Sequence, residues 1–577
     1  MGLIVTLIVV GFGTVEDWFG RTYYADDAIG YFDVSKAIDR GDCATALNPY
    51  WSIGYPTILS ATRWMFPPGP YGEWTALHVV NLVIFLAIYL SFLYFLKAAT
   101  IYTAKVNGDD DATAGNGWNG FIFVIGTSVF LLWQLMIGNA SRLSPDPLVS
   151  GIFFLVTAAA LHFYMRPSAK TAVVMGLLMG FGYLVKAVFL PISVGMLLVV
   201  FLHCLTRSRS DRRPAITKLA WAIPVIAFVT LPYIIALSHA VGKFTLGESG
   251  SLNYAWNVNH LPHSCNWQGG TAQFGVPFHP THLVLRDPPV FTFAEPFHVT
   301  YPPWYNPPYW YEGYHHFFNI KNEISALKAT VPALRRFFFE GRHCGIKALG
   351  AGLLLALCLF LLKERRTWWK RLMSLWPLYL LPIAAFSVYL LVVIEPRYVV
   401  GFLIVLLLTP FLPLVVPTPL FSKRVGYAFV ILFATGCAAI LVGNKKDAIH
   451  RAIHNEPYTS DEQWRIGSYL IQSGVQPEEK VAAVAVWENI ECTWAYVSGV
   501  HIVAEIGNDA FDFDHHEQDF HLFLSSPDVQ QTVFTLFRQA GAKLVVASYV
   551  DGTPQGPGWE QIPGTRSWIH RLDENAP

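Results

Sequence analysis

The stretch YYADDAIGYFD, residues 23–33, comes soon after an apolar opening run, GLIVTLIVVGFG at 2–13. Two adjacent aspartates in such a place are either ordinary solvated loop or the centre of the chemistry. The choice turns on what the rest of the chain is and on which side of it Asp26 and Asp27 stand. Of the 577 residues, 53% are hydrophobic and only 14% charged, against about 25% charged in a soluble globular chain. The chain therefore reads as a polytopic α-helical membrane protein. Forty basic and forty acidic residues cancel, so nothing calls for nucleic acid or another polyanion as partner. Aromatic residues, at 15% with 19 Trp and 26 Tyr, suggest interfacial belts and a substrate groove.

Working outward, apolar runs of roughly 20 residues predict about eleven spans, near 2–14, 75–96, 119–138, 147–165, 171–186, 188–205, 218–238, 346–362, 373–393, 399–416 and 425–443. The opening MGLIVT also fits a myristoylation pattern. A signal peptide would need a basic flank and a small-residue cleavage site, so the run is read as a span. Lys97, Lys105, Arg166, Lys170, TRSRSDRR (206–213), KERRTWWKR (363–371), Lys423 and Arg424 fall in alternate loops. By the positive-inside rule those loops are cytoplasmic. The N-terminus is then inside, and Asp26 and Asp27 face outward. The opposite face also receives loops 15–75 and 239–345, the turns near 139–146 and 393–398, and everything after 444.

Three apolar stretches each break for a charge at that same face. SRLSPDPL (141–148) brings Arg142 and Asp146, GLLMGFGYLVKAVFLPI (176–192) brings Lys186, and VIEPRYVVGF (393–402) brings Glu395, Arg397 and Tyr398. Each has a plain reading on its own. Lys186 snorkels to the interface, Glu395 and Arg397 form a structural ion pair, and SPD opens a helix as an ordinary cap. Their convergence with an acidic pair is harder to dismiss, because charge between spans is costly unless paired or functional. Such a site suits a lipid-linked phosphate. Arg grips phosphate through two donors, Lys as a point charge, and a neighbouring carboxylate accepts a proton from an incoming hydroxyl. Two adjacent carboxylates are equally oxygen ligands for a divalent cation.

The 239–345 loop holds nine of the 19 His and the Pro-aromatic run HVTYPPWYNPPYWYEGYHH (298–316). It reads as an irregular docked loop that stacks on sugar rings or covers the site. HLPH (260–263) and HPTH (279–282) lie in irregular sequence, where spacing says little about zinc. The seven cysteines show no metal spacing. Cys265 and Cys344 share this loop and are the pair that an oxidising compartment favours for a disulfide. From 444 to 577 the chain reads as a soluble α/β domain beside the membrane domain of 1–443. Strand-like KVAAVAVW (480–487), HIVAEIG (501–507) and KLVVASYV (543–550) alternate with helical SDEQWRIGSYLIQSG and SPDVQQTVFTLFRQAG. DFDHHEQDFH (512–521) reads as an exposed acidic loop before it reads as a metal patch. No nucleophile elbow, P-loop or dinucleotide fingerprint occurs in it, and the domain reads as accessory.

DDAIGYFDVSKAIDRGD (26–42) followed by NPYWSIGYPTIL (48–59), then SPDPL, the Lys186 span and the EPRY turn, resembles integral-membrane glycosyltransferases of the GT-C fold. The likeness is to the bacterial branch related to protein mannosyltransferases and the lipid A aminoarabinose transferase, and it covers most of residues 20–400. It implies a polyprenyl-phosphate-linked sugar donor and a single inverting displacement onto a protein, lipid or glycan acceptor. By that likeness Asp26 or Asp27 is the general base, the other orients the acceptor or a metal, and Lys186 and Arg397 hold the carrier phosphate. Asp146, Glu395 and Tyr398 support them. No cofactor is certain, and a divalent cation stays open because family members differ. Two rival readings are a secondary transporter or flippase, whose charges belong nearer the midplane of two repeated halves, and a non-catalytic membrane scaffold.

Overall fold

The structure is a computed structural model, and it describes residues 2–19, 27–63, 69–108, 120–138, 141–270, 272–294, 296–335, 365–415, 434–439, 441–443, 445–454, 461–484, 492–506, 526–548, 554 and 556–572. In chain order, the helices used below are α1 (Gly2–Phe19), α2 (Ala28–Arg40), α3 (Gly54–Arg63), α4 (Pro70–Val106), α5 (Gly120–Trp133), α6 (Asp146–Met165), α7 (Ala169–Val185), α8 (Phe189–Leu205), α9 (Ala222–Val241), α10 (Trp376–Leu390), α11 (Pro396–Leu408), α12 (Glu462–Gln472), α13 (Thr493–Ser498) and α14 (Pro527–Gln539). The chain forms two compact units, each assembled from separated segments. The first takes Met1–Gly20, His78–Ala236 and Ile320–Asn455; the second takes Arg21–Leu77, Leu237–Asn319 and Glu456–Pro577.

Apolar runs became helices because a bilayer leaves backbone groups no partner but each other. Four helices among the described residues are long and apolar enough to cross a membrane: Pro70–Val106, Asp146–Met165, Arg209–Val241 and Pro396–Pro413. Trp368–Ser374 and Trp376–Leu390, bent by 53° at their junction, make a fifth if taken as one span. Of the eleven expected runs, 346–362 lies outside the described residues and 425–443 does so in large part. The 17-residue helices α7 and α8 meet across a short break at Lys186, Ala187 and Val188. Within the first unit α6 packs on both α7 and α11, and α8 on α10.

In the second unit a seven-stranded sheet runs in the order β1-β2-β4-β3-β5-β7-β6. The strands are β1 (His282–Arg286), β2 (Pro289–Thr292), β3 (Lys480–Val484), β4 (His501–Ile506), β5 (Leu544–Ala547), β6 (Trp559–Gln561) and β7 (Trp568–Arg571). The parallel centre, β4-β3-β5, is almost wholly apolar, as strands covered on both faces require. It coincides with the three runs read as strands in the tail. The antiparallel pair β1–β2 comes from the 239–345 loop and adds to β4 through Val290, Phe291 and Thr292. The core joins Val290, Val484, Val503 and Ile506 to Val533, Phe534 and Phe537 of α14. Helix α12 opens on Asp461, whose carboxylate accepts from the Gln463 N–H at 3.1 Å, satisfying one of the helix's orphan donors.

The Pro-aromatic run departs from its expectation. It forms two short helical turns, Pro302–Tyr305 and Pro307–Tyr311, each opening on a Pro-Pro pair that suits a first helical turn. Tyr301, Trp304, Tyr305, Trp310 and Tyr311 are buried, so these rings are core and not a platform for sugar. Hydrophobic area explains it: large aromatic faces beside proline, which leaves few backbone donors to satisfy, are inexpensive to bury. Of the expected Cys265–Cys344 pair, Cys265 is buried, while Cys344 and the DFDHHEQDFH loop lie outside the described residues.

Candidate functional site

In the first unit the three interrupted apolar stretches meet. Asp146 stands in the first turn of α6, 4% exposed. The Lys186 ammonium lies 2.5 Å from its Oδ1 and the Arg397 Nε 3.7 Å from its Oδ2. Ser144 Oγ donates to the same carboxylate at 3.3 Å. The start of α6 follows Pro145, with no side-chain cap, so ion pairing replaces the capping role expected of Asp146. The Lys186 ammonium also sits 3.7 Å from the centre of the Tyr398 ring, and the Arg397 guanidinium carbon 5.1 Å from it. Tyr389 packs against the ring of Tyr398 at 5.3 Å.

Local sequence explains the meeting. Lys186 ends α7 in extended backbone and begins the three-residue break before α8, which turns its side chain out of the helical stack. Arg397 and Tyr398 occupy the first turn of α11, whose Pro396 suits that position. Gly401 and Ser150 lie one turn further along α11 and α6. A Cβ on Gly401 would stand 2.9 Å from both Cα and Cβ of Ser150. The missing methyl lets the two helices approach closely enough for Arg397 to reach Asp146. Glu395 is exposed, and its carbonyl accepts from the Tyr398 N–H at 3.0 Å.

Asp27 belongs to the second unit. It precedes α2, and its carboxylate makes no cap bond to that helix; Asp26 lies outside the described residues. Sequence reasoning missed what holds α2 in place. Asp33, 5% exposed, accepts from the Thr300 N–H at 3.1 Å and the Thr300 hydroxyl at 2.8 Å. Burial raises its carboxyl above the ordinary value, and burial likewise lowers the Lys36 ammonium. Lys36 rests 3.8 Å over the Tyr496 ring, against which Phe32 also packs at 4.9 Å. Arg63 of α3 donates to Ser35 and Asp39, each at 2.6 Å, and to Glu73. Gly30 is needed where the Trp51 indole passes: a Cβ there would be 2.4 Å from its Nε1. Helix α2, which follows Asp27, is thus anchored by the large loop and the tail together.

Other buried charges escaped the sequence reading. Glu505 on β4, 2% exposed, accepts from Asn266 Nδ2 at 2.6 Å and from the Tyr301 hydroxyl at 3.0 Å. In the first unit, Glu16 pairs with Lys445 at 2.7 Å and Asp17 with His78 Nδ1 at 3.3 Å. The signal available was EDW at 16–18, a pair of acids at the end of an apolar helix. Among the described residues no three His, Cys, Asp or Glu gather as a metal-binding group.

No family model and no curated protein matches the sequence. Solved structures do. ArnT from Cupriavidus metallidurans bound to undecaprenyl phosphate matches with a TM-score of 0.53 at 12% identity, over 100% of this chain and 99% of that one. The chain has the GT-C fold. The apo form of the same ArnT matches with a TM-score of 0.49 at 13% identity, over 99% and 97%. The Archaeoglobus fulgidus oligosaccharyltransferase tethered with an acceptor peptide matches with a TM-score of 0.47 at 11% identity, over 95% of this chain and 69% of that one. At these identities the likeness is one of fold, and it rests on the first.

The first-unit cluster has a definite electrostatic character. Lys186 and Arg397 share the Asp146 carboxylate at the junction of α6, α7 and α11, and the charge of Arg142 acts on it as well. Lys186 keeps 22% of its side chain exposed, whereas Arg397 keeps 10% and its Nε and Nη1 are buried. A ring face under the ammonium adds attraction without supplying a competing charge. Cations placed in this way can hold an anionic group.

Proposed function

We propose that the chain transfers a sugar from a polyprenyl-phosphate-linked donor to a hydroxyl or other nucleophile of an acceptor, at the extracytoplasmic face of a cell membrane. The observation that carries this reading is the junction of Lys186, Arg397 and Tyr398 around Asp146, on a fold shared with a protein solved with undecaprenyl phosphate. Arg397 and Lys186 hold the phosphate that joins carrier to sugar. Asp26 or Asp27 accepts the acceptor's proton as its oxygen attacks the anomeric carbon. The bond from that carbon to the phosphate oxygen breaks, the configuration inverts, and the carrier phosphate leaves with its electron pair. Developing negative charge on the leaving group falls on the two cations, where fixed charge is most effective. The transferred group is a hexosyl or pentosyl unit, and the acceptor is protein, lipid or glycan. The N-terminus is cytoplasmic, and the tail from 444 extracytoplasmic.

The test is transfer of radiolabel from a panel of polyprenyl-phosphate sugars to a cell-envelope acceptor fraction, with purified protein in lipid. Removing a general base costs about 10²–10⁴-fold, so Asp26→Asn or Asp27→Asn should collapse transfer while donor binding persists. Arg397→Ala should weaken donor binding. Full transfer in both aspartate variants would refute the base, and no donor binding with any sugar would favour transport instead. Dialysis against EDTA separates a second role of the acidic pair: loss restored by Mn²⁺ assigns a divalent cation to it, unchanged transfer assigns proton acceptance alone.

A further inference from the structure

An apolar face of the second unit has no place in the chemistry above. Phe244 is 78% exposed, Leu246 43%, Val276 64%, Phe278 71% and Phe318 77%. Three chain segments bring these side chains around residues 312–316. Phe244 and Leu246 line a cavity of about 420 Å³ together with Glu312, Gly313, Tyr314 and His316. The Phe278 N–H donates to the Glu312 carbonyl, and a Cβ on Gly313 would touch the Phe278 ring at 2.9 Å. Phe318 follows two residues after His316, on backbone held by the Phe317 N–H to Asn259 at 3.1 Å. A contiguous exposed patch of this kind marks an interaction surface.

Its occupant follows from where the chain has just been. Phe244 is the third residue beyond Val241, the end of α9, and α9 closes the apolar helix Arg209–Val241, only 22% buried within the protein. Most of that span therefore faces lipid. An extended chain covers at most about 3.6 Å per residue, which puts Phe244 within roughly 11 Å of the helix end. The loop is not extended away from it: the Thr245 N–H donates to Ser238 Oγ at 3.0 Å, and that hydroxyl donates back to the Thr245 carbonyl at 3.2 Å. The headgroup layer beyond the hydrocarbon is about 5–8 Å deep on each side. Lys243, paired with Glu248 at 3.0 Å and half-exposed, is the flanking cation common at such a boundary.

We propose that Phe244, Leu246, Val276, Phe278 and Phe318 form a lipid-contacting face seated in the headgroup layer of the bilayer. The second unit then meets the membrane through inserted aromatic side chains as well as through its covalent connections. The face holds the loops 242–246, 276–279 and 312–318 at one depth.

The experiment places a photoreactive benzoylphenylalanine, one position at a time, at Phe278, Phe318, Phe228 and Ile471 in the full chain. Each protein is held in nanodiscs of phosphatidylethanolamine and phosphatidylglycerol. Phe228 lies on α9 at 79% exposure and reports lipid contact independently; Ile471 lies on α12 at 41% exposure and reports solvent. Phospholipid adducts by mass spectrometry at 278 and 318, about tenfold above position 471 and comparable to 228, are expected for a face in the interfacial layer. Adducts at 228 with 278 and 318 no higher than 471 overturn the proposal. So do adducts joining two copies of the chain, which would make the face a self-association surface.

Discussion

Asp33 and Thr300, 267 residues apart in sequence, are joined twice, through the backbone N–H and the hydroxyl of Thr300 to the two carboxylate oxygens of Asp33. The contact fixes the helix that follows the acidic pair to the large loop. Asp33→Asn presents an amide nitrogen where a donor already points. A buried hydrogen bond lost with its donor left unsatisfied costs about 1–3 kcal/mol. The variant should be less stable by that amount, melt at a lower temperature and lose transfer in proportion to unfolded protein, recovering when assayed at lower temperature. Undiminished melting would show that α2 is held by its aromatic contacts alone.

The same residue sets a pH dependence. Burial raises the folded-state pKa of Asp33 above its ordinary value of 3.8. The folded protein then binds the proton more tightly than the unfolded chain. Its contribution to stability is fully present below pH 3.8 and is lost as pH rises through the elevated folded value. Subtracting the Asp33→Asn profile from wild type should isolate a component that falls with rising pH above about 4. A component that rises with pH over that range would contradict the buried setting.

Gly401 offers a test in which two effects oppose. Alanine is favoured over glycine in a helix interior by about 1 kcal/mol, so an unconstrained Gly401→Ala should stabilise. Here the added methyl would stand 2.9 Å from Ser150, and overpacking costs about 1–3 kcal/mol. Lower stability is expected, with weaker donor binding because α11 carries Arg397 away from Asp146. A higher melting temperature with unchanged donor binding would mean that the two helices are not in close contact there.

What the sequence made legible follows from range. Each of Asp146, Lys186 and Arg397 interrupts an apolar run, so their common depth was readable span by span, and the structure brings them together. Strands β3, β4 and β5 were readable for the same local reason. The strand pair β1–β2 was not, because its partner β4 lies some two hundred residues on and His282–Thr292 carries no strong alternation. Asp33 and Glu505 look like surface carboxylates in sequence. Their partners Thr300, Tyr301 and Asn266 lie 204 to 267 residues away, beyond any periodicity. The Pro-aromatic run misled for a related reason: composition reports large rings, and only packing decides whether they are core or surface.

Glu505 tests whether the tail sheet and the large loop form one folded body. Its carboxylate holds Tyr301 and Asn266, so Glu505→Ala strands two buried donors, each at about 1–3 kcal/mol. Adding Tyr301→Phe removes one of those donors and should lower stability by less than the sum of the single changes. Strict additivity would mean that the two residues do not interact in the folded protein.

The last test concerns charge balance at Asp146. Asp146→Asn removes a carboxylate that Lys186 and Arg397 share, leaving two largely buried cations close together. Breaking a buried pair from one side costs about 3–5 kcal/mol, so this variant should be far less stable than wild type. Lys186→Met in the same chain removes one of the two repelling charges and should recover part of the loss. A polyprenyl phosphate added in excess should also recover stability in Asp146→Asn, because the phosphate supplies the missing negative charge, whereas an uncharged polyprenol should not. Equal recovery with both would assign the effect to the lipid tail and remove Lys186 and Arg397 from phosphate binding. Recovery with the phosphate alone would tie the cluster to the carrier's charge.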